Sequence, residues 1–159
     1  MSYPTQKAMD DPSKDIVVSV PHSGTRSLCT HLKLFEVSTV GDKPRFHYLH
    51  WGQNDADIEI LTGQVHIPIR NPIDIARSWD GRYRGNGGDT HTIENMLWRL
   101  DRMLAFIDSY PDHALYRVED LDIRAGKGDE RSLEDTPRVI ATRQWLSDKM
   151  DFYGSYYAD

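Results

Sequence analysis

The stretch "DIVVSVPHSGTRSLCTHL", Asp15 to Leu32, constrains the fold most. Its near-continuous apolar run, Asp15 to Val20, has the character of a strand covered on both faces. A turn follows with one glycine, Gly24, and three hydroxyl residues, Ser23, Thr25 and Ser27, and then a helix pattern from about Ser23 to Glu36. A strand buried on both sides needs helices to bury it, so the chain is expected to be α/β with a mostly parallel sheet in three α/β/α layers. The rest of the sequence alternates in the same way. Strands are predicted at Arg45 to Trp51, Gln64 to Ile69 and Ala114 to Glu119. Pro68, which cannot donate to a ladder, is expected to end its strand early. A brief helix is predicted from Asp55 to Leu61, with Gly63 as its C-cap. Asn71 caps the next helix, with Pro72 first and Asp74 in the first turn. Ile93, Met96, Leu97, Leu100, Met103, Leu104 and Ile107 share one face of a helix over about Thr92 to Ser109. Thr136 and Pro137 start the last.

At 159 residues the chain suits one domain, expected over residues 15–159 behind a disordered or loosely attached polar leader, residues 1–14. No apolar run reaches membrane length and the leader lacks a secretory h-region, so a cytoplasmic protein without a membrane partner is expected. The single cysteine, Cys29, excludes an internal disulfide and reads as a small buried thiol. A net charge of -6 argues against a nucleic-acid binder with an overall basic surface. It leaves open a nucleic-acid acceptor met through a local basic loop, "GRYRGNGGD", which carries Arg82 and Arg84. The seven histidines form no ligand pattern. His47 and His50 point to opposite faces of one strand, His66 reads as a hydrogen-bonded core residue, and His31, His91 and His113 have no partner at ligand spacing. The carboxylates of "NDADIEI" read as a solvated helix start, and the aromatics of "DFYGSYYAD" as a surface that packs on the domain or meets a partner. No metal ligand set is expected.

A strand, a tight turn and a helix together place backbone N–H groups at the positive end of a helix dipole, where an anion is favoured. Gly24 permits close approach, Thr25 and Ser27 can donate, and Arg26 can supply charge. The motif is not G-x-x-x-x-G-K-[ST], since Ser19 stands for the first glycine and Thr25 for the lysine. An ordinary strand-to-helix turn accounts for the same order of parts. A second element, "IPIRNPIDIARSW", puts an arginine at a strand end before a capped helix, with Ser78 eight residues after Arg70, roughly two helical turns. Arg70 and Ser78 can form a second phosphate site.

With these segments the sequence resembles the sulfotransferase family. "PHSGTRSL" looks like its P-K-S-G-T loop, and "RNPIDIARS" fits its R-N-P-x-D-x-x-x-S segment at every specified position. "PRFHYLH" is similar to the segment that carries the catalytic histidine, and "RVEDL" to a Y-E-D-L segment. The resemblance implies a P-loop NTPase-like (sulfotransferase-like) fold and transfer of a sulfuryl group from 3'-phosphoadenylyl sulfate (PAPS) to a hydroxyl or amine acceptor. It also implies His50 as base, His22 and Arg26 at the leaving group, Ser23, Gly24, Thr25, Arg26 and Ser27 on the 5' phosphosulfate, and Arg70 and Ser78 on the 3'-phosphate. His22 stands in place of the loop lysine, Tyr48 where another lysine is common, and Val118 for the tyrosine. Arg124 and Lys127, in "RAGKGDER", are the candidates for the family's C-terminal glycine-rich loop. Two other readings stand beside it. One is a P-loop kinase using ATP and Mg²⁺, with Glu119 or Asp120 as the metal carboxylate, acting on a nucleoside, a modified nucleic-acid base or a metabolite. The other is a non-catalytic nucleotide-binding module. The sequence leaves the oligomeric state open.

Overall fold

The computed structural model describes residues 5–37, 44–83, 92–121 and 135–157. Arg84, His91, Arg124 and Lys127 lie outside the described residues, as does the side chain of Arg82. The chain falls into two compact units. One comprises Met1–Ile69 with Arg102–Ala125, the other Arg70–Asp101 with Gly126–Asp159.

The first unit contains a parallel sheet of four strands flanked by helices, in the order β5 (Tyr48–His50), β2 (Ile16–Ser19), β6 (Val65–Ile69), β7 (His113–Arg117). The expected α/β class is therefore present. Every residue of β2 and β6 is buried, including the polar Ser19 and His66, and both read as mainly apolar runs. Helix α1 (Thr25–Leu32) sets Leu28 and Cys29 into a cluster with Val17 and Phe46. Burying Val17 or Leu28 in this way stabilises the unit by about 1.5–3 kcal/mol each.

Four boundaries differ from the sequence reading, each for a local reason. Helix α1 stops at Leu32 because Lys33 turns left-handed (φ 60), and residues 35–37 become β3 (Phe35–Val37) rather than its last turn. The single strand expected over Arg45 to Trp51 is two. β4 (Pro44–Phe46) pairs with β3 and with β1 (Thr5–Gln6) in a second sheet, and the chain crosses at His47 into β5. His47 and His50 therefore do not alternate along one strand. Pro68 does not shorten β6: the β2–β6 register covers Val65 and His66 only, so Pro68 lies where β6 pairs with β7. Finally, β7 ends at Arg117 and Val118–Asp120 form a 3₁₀ turn.

Residues 5–14, expected as loosely attached, are tied down. β1 pairs with β4, the Gln6 Nε2 amide donates to the Tyr48 carbonyl at 2.6 Å, and Pro12 O accepts from the backbone of Thr62 and Gly63. None of these bonds needs apolar periodicity, so none shows in the sequence. Gly63 admits this turn, since a Cβ there would lie 2.2 Å from Ser13 O, and it is not the helix cap it was read as. α2 (Asp55–Glu59) ends instead at Ile60.

In the second unit, α3 (Pro72–Tyr83) begins as expected, Asn71 Oδ1 accepting from Ile73 N at 3.0 Å. The first half of α4 (Ile93–Ser109) contributes Met96 and Leu100, and α5 (Pro137–Ser147) contributes Val139, to a core that also holds Trp79 and Tyr153. Tyr153 lies on α6 (Met150–Tyr157), where "DFYGSYYAD" begins, with its ring 5.9 Å from that of Trp145. Among the described residues no helix is long and apolar enough to cross a membrane, and no group of histidine, cysteine or carboxylate side chains is placed to hold a metal ion.

Candidate functional site

The turn between β2 and α1 is tight because two of its residues are left-handed. Gly24 has φ 100 and His22 has φ 69. Gly24 is required twice over: a Cβ would also lie 2.3 Å from Val118 Cγ2, so the 3₁₀ turn packs its valine directly on the loop. Val118 thus has a packing role that the sequence did not show. His22 is left-handed, and among residues with a side chain histidine is one of those enriched in that geometry.

The loop's hydroxyls are mostly engaged within the protein. Ser23 Oγ donates to Val20 O at 2.6 Å, and Ser19 Oγ and Thr25 Oγ1 are 2.6 Å apart. Ser27 is buried in the first turn of α1. An anion would therefore be met chiefly by the main chain and Arg26. The first N–H groups of any α-helix have no intrahelical acceptor. In α1 no side chain caps them and no acid occupies the first turn. Arg26, second residue of the helix, is exposed and makes no ion pair with a described carboxylate. A cation here opposes the helix dipole, so helix and guanidinium together make a positive region that no described carboxylate pairs.

His50 ends β5 beside this loop, its Nε2 3.3 Å from Thr25 Oγ1 and its Nδ1 3.0 Å from Gln53 Oε1. Register places it opposite Ser19. Its backbone N–H donates to Asn54 Oδ1 at 2.9 Å, and Gln6 Nε2 donates to the same oxygen at 3.2 Å. Asn54 precedes α2 without capping it, its side chain being turned to His50 instead. The Tyr48 ring stacks at a tilt, 4.7 Å from that of His50, and burial raises the tyrosine's pKa while the nearby Arg26 charge lowers it. Sequence reasoning missed Gln6, Gln53, Asn54 and the contact role of Ser19. Only the position of Asn54 before a helix gave a signal, and it pointed to a cap.

Glu119 and Asp120 follow Val118, and both pair with Arg117, at 3.8 and 3.1 Å. Arg70 links β6 to α3 and Ser78 lies half-buried on α3, both in the second unit. Two further expectations agree with the structure. Burial pushes the Cys29 thiol up to about 12, so it is not a nucleophile at neutral pH. His66 is buried and held by Asp15 and Tyr116 at 3.1 and 2.8 Å.

Compared with protein-family models, with curated proteins and with solved structures, the chain matches none.

Proposed function

We propose that this protein is a sulfotransferase-like enzyme of P-loop-like, three-layer fold that moves a sulfuryl group from PAPS to a hydroxyl or amine acceptor in the cytoplasm. The observation that carries the reading is the start of α1. It has no acid and no side-chain cap, it bears the exposed Arg26, and it is bonded through Thr25 to His50. An anion cradle and a candidate base share one loop, which an ordinary strand-to-helix turn does not need.

PAPS supplies an activated sulfuryl group and a phosphate leaving group. The main-chain N–H groups from Gly24 to Ser27 bind the 5' phosphosulfate, and Arg26 and His22 offset the charge that grows on the bridging oxygen. His50 accepts the acceptor's proton at Nε2, in the place that the long 3.3 Å bond from Thr25 holds. Arg70 and Ser78 take the 3'-phosphate, as the resemblance implies. The kinase reading is weaker, because its metal carboxylates, Glu119 and Asp120, are both paired with Arg117.

Thermal-shift titration separates the readings. Adenosine 3',5'-bisphosphate without metal is expected to stabilise the protein, and Arg70→Ala to remove the effect. Stabilisation by ATP only with Mg²⁺ would replace the proposal with the kinase, and no shift with either would replace it with a non-catalytic role.

A further inference from the structure

With a neutral His50 ring, the bonds that run from Ser19 through Thr25 and His50 to Gln53 take one direction. Gln53 Oε1 is a carbonyl oxygen and can only accept, so the Nδ1 that lies 3.0 Å away must carry the ring proton. In a neutral imidazole Nε2 is then the acceptor, and Thr25 must donate to it across 3.3 Å. Thr25 Oγ1, having given its hydrogen to His50, is left to accept from Ser19 Oγ at 2.6 Å. The chain Ser19 to Thr25 to His50 to Gln53 thus runs one way. Gln53 itself is fixed because its backbone N–H donates to His50 O at 3.2 Å, while Asn54, the next residue, accepts from His50 N.

We infer that Gln53 is a positioning residue that holds His50 as the Nδ1–H tautomer, with its basic Nε2 lone pair turned to the Thr25 loop. The inference rests on the transfer reading for its purpose but not for its geometry. A neutral amide orients the ring without the added basicity that a carboxylate in the same place would confer.

Long-range proton–nitrogen NMR of the imidazole rings tests it, with His50→Ala identifying the signals. In the wild-type protein above the titration of His50, Nδ1 is expected to give the protonated pattern and Nε2 the unprotonated one. Gln53→Glu keeps the acceptor, so it should keep the tautomer and move the His50 titration midpoint up by about one unit or more. Gln53→Leu should give a mixture of tautomers. Where transfer is measurable, it should lower kcat several-fold with little change in donor KM. An Nε2–H tautomer in the wild type overturns the inference, as does a midpoint unmoved by Gln53→Glu. If Gln53→Leu does not fold, the Glu variant still decides. A protein that shows this NMR pattern but transfers nothing overturns the transferase reading and supports the inference about the ring.

Discussion

Helices α1 and α5 begin with the same ingredients and use them in opposite ways. Each has an arginine as its second residue and no acid in its first turn. At α5 every part is satisfied internally. Thr136 Oγ1 accepts from Val139 N at 3.2 Å and donates to Asp80. Arg138, 9% exposed, donates to Asp80 Oδ1 at 3.0 Å and to Thr92 O at 3.2 Å, and lies against the Trp79 ring. At α1 the cap is a left-handed glycine with no side-chain bond, and Arg26 faces solvent. The difference teaches that an arginine against a helix dipole is buried where a carboxylate is built in, and stays exposed where no described carboxylate meets it.

The largest contrast should therefore appear in stability. Asp80→Ala removes the carboxylate that accepts from both the buried Arg138 and Thr136, and should cost about 3–5 kcal/mol in denaturant unfolding. Arg26→Ala should change stability by no more than about 0.5 kcal/mol. Equal costs would mean that the two arginines do the same work.

Next in size is the loop itself. Gly24→Ala must fit a Cβ against Val118 and adopt a left-handed backbone, so a loss of about 1–3 kcal/mol from crowding alone is expected by the same measurement. Adding Val118→Ala should recover the crowding part and leave the backbone part. Full additivity of the two losses would show that the contact does not matter.

A smaller effect is expected at Tyr153 in the second unit. Its hydroxyl is buried and has no hydrogen-bond partner among the described residues, so Tyr153→Phe should stabilise by about 1 kcal/mol. Burial, with Asp101 nearby, raises the phenol's pKa in the folded state. Ionisation thus favours unfolding: stability is complete below the ordinary value of 10 and falls as pH rises above it. Thermal melts between neutral and alkaline pH should show a decline that Tyr153→Phe reduces.

The smallest effect is at His47. Burial and the Lys7 charge lower its pKa from 6.5, so the folded state prefers the neutral ring. Stability is fully present above 6.5 and should decline slightly as pH falls below it, less so in His47→Gln when the two are melted in parallel.

The parts of this molecule legible in the sequence are those fixed by local pattern. The apolar runs of β2 and β6, the Asn71 and Thr136 caps and the stripe on α4 all carry period or capping signals, and each element stands close to its expected place. The second sheet was not legible, because β1, β3 and β4 are two or three residues long and are joined by main-chain bonds to distant partners. The loop was legible as a strand, turn and helix. Its chemistry was not, because Gln53 and Asn54 act on His50 through hydrogen bonds that leave no periodicity, and Val118 meets Gly24 across nearly the whole first unit in sequence. The packing of Val118 on Gly24 and the left-handed backbone of His22 likewise left no mark in the sequence.

Backbone amide NMR of the protein titrated with adenosine 3',5'-bisphosphate, without metal, tests the start of α1 most directly. The account expects saturable shifts at the amides of Gly24 to Leu28 in the wild type, and at least a tenfold weaker affinity in Arg26→Ala with the fold unchanged. Unmoved amides in that turn, or equal affinity in the variant, would contradict it.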